Sequence, residues 1–114
     1  MISKELFSKV IGNDIDWCSK HPSEPVVEFH ANNTNTICEH INIYELAHKC
    51  KEWAFDIGYS VESAKKNILE DKKMKSKWIC CGFTPEYNIM PTSEADTEPE
   101  AIFKACQWVL ENRK

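Results

Sequence analysis

The stretch HINIYELAHKCKEWAFDIGY, His40 to Tyr59, decides how the rest of the chain is read. Its spacing predicts an amphipathic helix. Asn42 is a favoured N-cap residue, and Glu45 three positions on completes a capping box. Ile41 before the cap and Leu46 after it can close a hydrophobic staple. Leu46, Ala47, Cys50, Trp53, Ala54 and Ile57 recur at helical spacing and form one apolar stripe. His48, Lys49, Glu52 and Asp56 lie off that stripe, and Gly58 ends the helix. On this reading Cys50 and Trp53 face the core, while His48 and Lys49 face solvent.

A second helix of the same kind closes the chain in DTEPEAIFKACQWVLENRK. Thr97 caps it, Glu100 follows three residues on, and Pro99 is tolerated in the first turn. Acidic residues crowd its start, and Arg113 and Lys114 its end, as the helix dipole favours. Ile102, Ala105, Cys106, Val109 and Leu110 make its buried stripe. At the other end, SKELFSKVIGN reads as a short helix capped by Ser3 and stopped by Gly12-Asn13, with Leu6, Phe7 and Val10 on one side.

Strands are expected between the helices. Val27 and Phe29, then Ile37 and Ile41, alternate with polar residues on either side of the turn-tolerant tip ANNTN, which predicts a hairpin. DIDWCSKHPSEP before it reads as a loop broken by Pro22 and Pro25. YSVESA is a strand by alternation, and KWICCGF is rich in strand formers and reads as the central strand. KKNILEDKKMKSK between them reads as a charged connection or an exposed helical turn. TPEYNIMP, bounded by Pro85 and Pro91, is expected to be a third, edge strand.

The fold class is therefore α+β: an antiparallel sheet of about 3–5 strands with helices packed on one face, in the order α-ββ-α-βββ-α. A chain of 114 residues fits a single domain over residues 1–114, with one core. Four Trp, three Tyr and five Phe speak against disorder. A net charge of −4 gives no general pull toward nucleic acid or anionic membrane. The start MISKELFSKVIGND lacks the apolar run of a secretory signal, and no stretch reaches the ~20 apolar residues of a membrane helix. A cytoplasmic location follows as the expectation. A reducing cytosol would leave all six cysteines as free thiols.

Two resemblances attach to these elements. From Asn42 onward the order helix, three strands, helix resembles the double-stranded-RNA-binding fold in topology. That family opens its second helix with a lysine cluster that grips phosphates. Here the same place reads TEPEAIFKA, and Glu98 and Glu100 would repel phosphate, so RNA binding does not carry over. The phrases INIYELAHKCKEWA and TEPEAIFKACQWVLEN are similar to small uncharacterised proteins of bacteriophages and prophages. That resemblance implies a phage or prophage origin and a bacterial host cytosol. It supplies no catalytic or binding residue.

Four groups of residues can carry chemistry. CEH at 38–40 and HKC at 48–50 offer two thiols and two imidazoles, the ligand types of tetrahedral zinc. Helix positions two apart point about 200° apart, so His48 and Cys50 do not share an ion, and core packing is the preferred reading. Cys38 and His40 do share a face of a strand. Cys80 and Cys81 point to opposite faces of theirs, and read as structural rather than catalytic.

Lys65, Lys66, Lys72, Lys73, Lys75 and Lys77 are six of the chain's fourteen basic residues and lie beside Trp78. They are the candidate nucleic-acid contacts, against a plain role as solvated charge. Glu94 and Asp96 are left over after Glu98 and Glu100 are assigned to the helix start, and are candidates for binding a basic partner.

No glycine-rich phosphate loop, HExxH, GxSxG or EF-hand loop occurs, so no enzyme, cofactor or metal is expected. The expected function is that of a small phage or prophage accessory protein, binding a host or phage protein or a second copy of itself. The nucleic-acid-binding module is the alternative.

Overall fold

The computed structural model describes residues 2–18, 26–31 and 38–113. Pro22, Pro25, Ile37 and the Asn-rich tip of the expected hairpin lie outside them.

The fold is α+β, with three helices and six strands among the described residues. Helix α1 (Lys4–Ile11) is followed by β1 (Ile15–Trp17), β2 (Val26–Ala31) and β3 (Glu39–Asn42), then α2 (Ile43–Asp56). Next come β4 (Ser60–Glu70), β5 (Lys73–Phe83), β6 (Ser93–Ala95) and α3 (Glu98–Asn112). The strands divide into two antiparallel three-stranded sheets, ordered β1-β2-β3 and β4-β5-β6.

The caps form where the sequence places them. Ser3 Oγ accepts from Leu6 N–H at 3.1 Å and also donates to Gln107 at 2.6 Å, which ties α1 to α3. Asn42 accepts from Tyr44 N–H at 2.8 Å, one residue earlier than a capping box would have it. Thr97 accepts from Glu100 N–H. Gly12 and Gly58 take positive φ, the conformation that ends α1 and lets the chain leave α2.

The core is one cluster fed by every helix. Leu6 and Phe7 of α1, Leu46, Ala47, Cys50 and Ala54 of α2, and Ile102, Ala105, Cys106 and Val109 of α3 are buried. Phe7 packs on the inner face of the first sheet, 5.3 Å from Trp17 and 4.9 Å from Phe29 between ring centroids. Helix α3 lies against β4, β5 and β6, where Val61 and Cys80 face it. The opposite face of that second sheet is open.

Five local expectations change. The loop around Asp16 contains a strand, β1, because Ile15 and Trp17 face inward on either side of exposed Asp16. Residues 65–77 are not a connection or a helical turn: they are the outer halves of β4 and β5, closed by Asp71-Lys72. Both turn residues have positive φ, as a type I′ hairpin turn requires. TPEYNIMP holds only a single bridge, Phe83 to Ile89, and the third strand is β6, further on. Ile57 is exposed, because the helix has ended by then and the residue sits at its C-cap. Finally, Cys18 and Cys38 form a disulfide rather than two free thiols.

Candidate functional site

Two places on the molecule gather chemistry-bearing side chains. The first is the β4–β5 arm. β6 pairs with β5 only at Trp78, Ile79 and Cys80, so the five rungs from Lys66↔Lys77 to Glu70↔Lys73 are a two-stranded ribbon. At about 3.4 Å per rung this ribbon is ~17 Å long. It fits the elongated molecule, which measures 51 × 37 × 18 Å.

Alternation along a strand sorts the arm into two faces. Lys66, Lys77, Lys75 and Lys73 share the open face with Ile68 and Glu70. Lys65 pairs with Trp78 on the other face, where Leu69 and Met74 oppose one another near the tip. Leu69 and Met74 are 73% and 68% exposed. Lys72 sits in the turn. The six lysines predicted from the sequence are thus together on one arm, but only four share a face. Lys66 is 3.9 Å from Glu94 and Lys75 is 3.9 Å from Glu70.

The acidic pair is split by the same geometry. Glu94 lies in β6 on the open face, paired with Lys66, and its backbone carbonyl accepts from Lys104 Nζ at 2.8 Å. Asp96 is exposed beyond β6. Glu98 accepts from Ser63 Oγ at 2.9 Å, so it ties α3 to β4 as well as starting the helix.

The second place is the outer face of the first sheet. The registers pair Asp16 with His30, and Glu28 with His40. Continued by one step, the same registers set Cys18 opposite Glu28 and Cys38 opposite His30. Cys18 N–H donates to Glu28 O at 3.3 Å, which fixes the first of these. The ligand atoms of Cys18, His30 and Cys38 lie within 4.8 Å of one another, as do those of Glu28, Cys38 and His40. Glu28 Oε1 is 3.6 Å from His40 Nε2. Strands one apart in a sheet are ~4.8 Å apart, so edge strands separated by a middle strand stand ~10 Å apart. The Cα atoms of Cys18 and Cys38 are only 6.2 Å apart. The chain ends at β1 and β3 therefore curl toward each other over β2.

Of the zinc ligands weighed from sequence, Cys38 and His40 belong to this group. His48 and Cys50 do not. His48 is exposed on α2 with Nε2 3.2 Å from Glu52, and Cys50 is fully buried. Sequence reasoning missed Cys18, Glu28 and His30 because the set assembles across strands. The period-two spacing of Glu28 with His30 and of Cys38 with His40 was the available signal.

The adjacent cysteines separate as expected, Cys80 buried against α3 and Cys81 exposed on the open face. Burial, first, and Cys106 nearby push the Cys80 thiol up to about 12, the reverse of what a nucleophile needs. His30 and His40 lie on the other sheet.

No protein-family model matches the chain, and neither a curated protein nor a solved structure does.

Proposed function

We propose that the protein acts by binding a partner protein, with the β4–β5 arm as the part that engages it. The observation that carries this is the Leu69–Met74 pair, two large apolar side chains opposed across a ribbon that extends beyond the third strand. Apolar side chains held out together gain most when a partner buries them. Six lysines against Glu70 and Asp71 give residues 65–77 a net +4 in a chain of net −4. A partner with an apolar notch and an acidic rim would complement both features. The similarity to phage and prophage proteins supports a bacterial host cell, and its cytosol, as the setting. A regulator or inhibitor of a host or phage protein fits a chain of this size without catalytic motifs.

A second reading, nucleic-acid binding, is favoured by one separate observation. Lys66, Lys73, Lys75 and Lys77 share the open face of the arm, where they can follow a phosphate backbone. The two readings use opposite faces, so substitution separates them. A tagged pull-down from the bacterial host, with and without nuclease, is the test. Under the first reading a stoichiometric protein survives nuclease and is lost in Leu69→Ser/Met74→Ser. Under the second, recovery depends on nucleic acid, falls with salt, and is lost in Lys73→Ala/Lys75→Ala/Lys77→Ala. An empty pull-down from a host that supports the parent phage would sink both.

A further inference from the structure

We infer that the outer face of the first sheet is a zinc site in the reduced protein: Cys18, His30 and Cys38 bind Zn2+, with His40 completing a tetrahedron, and the Cys18–Cys38 disulfide is the oxidised, metal-free form of the same site. Three facts of placement carry this. The two sulfurs and the His30 imidazole already lie within 4.8 Å of one another, and the His40 ring lies as close to Cys38. His30 and His40 stand on the outer face of paired strands β2 and β3, and Cys18 and Cys38 sit one residue past the end of β1 and one before the start of β3. And Glu28 stands 3.6 Å from His40 Nε2, where a carboxylate orients a ligating imidazole. A disulfide needs none of these three polar neighbours. Two thiolates and two imidazoles are the donor set that selects zinc among the divalent metals.

The other thiols are unsuited to the task. Cys50, Cys80 and Cys106 are buried in the core, and Cys81 is on the far sheet. The proposed set has the opposite character, half-buried at Cys18, His30 and Cys38 and exposed at His40, so an ion can enter.

The conversion balances. A dithiol reductant attacks the disulfide by exchange and breaks the Cys18–Cys38 bond. Its two hydrogens end on the two cysteine sulfurs, and it leaves as its own disulfide. Zn2+ then displaces both thiol protons to solvent and takes the two thiolates and two neutral imidazoles. A small-molecule disulfide reverses the exchange: it reforms the Cys18–Cys38 bond, leaves as two thiols with two protons taken from solvent, and so removes both thiolates and releases the ion. The ion therefore stands in, under reducing conditions, for the covalent link between the ends of β1 and β3.

The test is cobalt titration of the full chain, reduced with excess dithiol and desalted without oxygen. Expected are one equivalent of Co2+, thiolate-to-cobalt charge-transfer absorption and tetrahedral visible bands, all bleached by one equivalent of Zn2+. Oxidised protein should show none of them. Cys18→Ser/Cys38→Ser should lose the charge-transfer band, while Cys81→Ser and His48→Ala should keep it. His30→Ala and His40→Ala retain both cysteines, so circular dichroism of their oxidised forms shows that they fold. In reduced form they should bind cobalt at least tenfold more weakly. Absence of the charge-transfer band in the reduced parent would overturn the inference. So would its persistence in the double serine variant, or unchanged affinity in both histidine variants.

Discussion

Cys50 of α2 and Cys106 of α3 are neighbours, both fully buried where the two long helices pack together. The neighbouring Cys106 thiol, and burial after it, hold the Cys50 thiol far above the usual range, while burial puts Cys80 at about 12. Of the four free cysteines only Cys81 is exposed. One thiol per chain should therefore react quickly with an aromatic disulfide reagent at pH 8, and three more only in denaturant. Unfolded cysteine ionises near pH 8.5, whereas folded Cys80 holds its proton to about pH 12. Above pH ~8.5 the unfolded state thus binds fewer protons than the folded one, and stability falls as pH rises through that window. The urea midpoint, followed from pH 7 to pH 11, reads this directly. A midpoint that holds or rises above pH 9 would contradict it.

Gly82 is required by contact rather than by its own φ. A Cβ there would lie 1.7 Å from the carbonyl oxygen of Ser60, across the β4–β5 pairing. Backbone on both sides leaves no flexible side chain to give way. Gly82→Ala should cost at least about 3 kcal/mol, at the upper end of overpacking effects. Equilibrium urea unfolding of the variant measures it.

Helix α2 grades its own residues. Leu46 is fully buried, so Leu46→Ala should cost about 3 kcal/mol. Trp53 is half-buried, with Arg113 5.9 Å from its ring centre, so Trp53→Ala should cost about 2 kcal/mol, below the range for buried aromatics. His48 pairs with Glu52 on the exposed side of α2, and His48→Ala should change stability by less than ~0.5 kcal/mol. Calorimetry on the three variants gives the order, and an equal loss at His48 would mean that its ring does something the fold does not show.

The helices were legible in the sequence because each carries its own period and its own cap. Ser3, Asn42 and Thr97 all cap as read, and the stripe of α3 is buried as read. The arm was not legible. Lys, Glu and Asn face solvent on both sides of a ribbon, so the period-two apolar signal vanishes there. Its turn uses Asp71-Lys72 in place of the glycine that usually marks positive φ. Strand β1 escaped because three residues are too few to show alternation. The Cys18–Cys38 link lies between residues 20 apart, and pairing across strands leaves no spacing rule to find it.

The turn is itself a handle on the arm. Asp71 and Lys72 have φ of 50° and 63°, a conformation that costs an ordinary residue about 1 kcal/mol and costs glycine little. Asp71→Asn/Lys72→Gly should therefore stabilise the ribbon without touching the core. Amide exchange at residues 66–77 should slow by about fivefold, the factor for 1 kcal/mol, while amides of α2 and α3 stay unchanged. Slowing across the whole chain instead would mean that the arm unfolds only with the core.

The link between Cys18 and Cys38 is the last point at which stability can be moved without altering the sequence. It closes a loop between residues 20 apart, for which chain entropy predicts about 3 kcal/mol. Reduction in the presence of a chelator should therefore lower the unfolding free energy by about that amount. The loss should fall on the first sheet, because the link joins the ends of β1 and β3. Replacing the chelator with zinc at a hundredfold its dissociation constant should restore about 2.7 kcal/mol by mass action alone. Urea unfolding under oxidised, reduced-chelated and reduced-zinc conditions compares the three states. If the reduced protein is equally stable with and without zinc, the disulfide alone closes this sheet and the histidines beside it contribute nothing to metal binding.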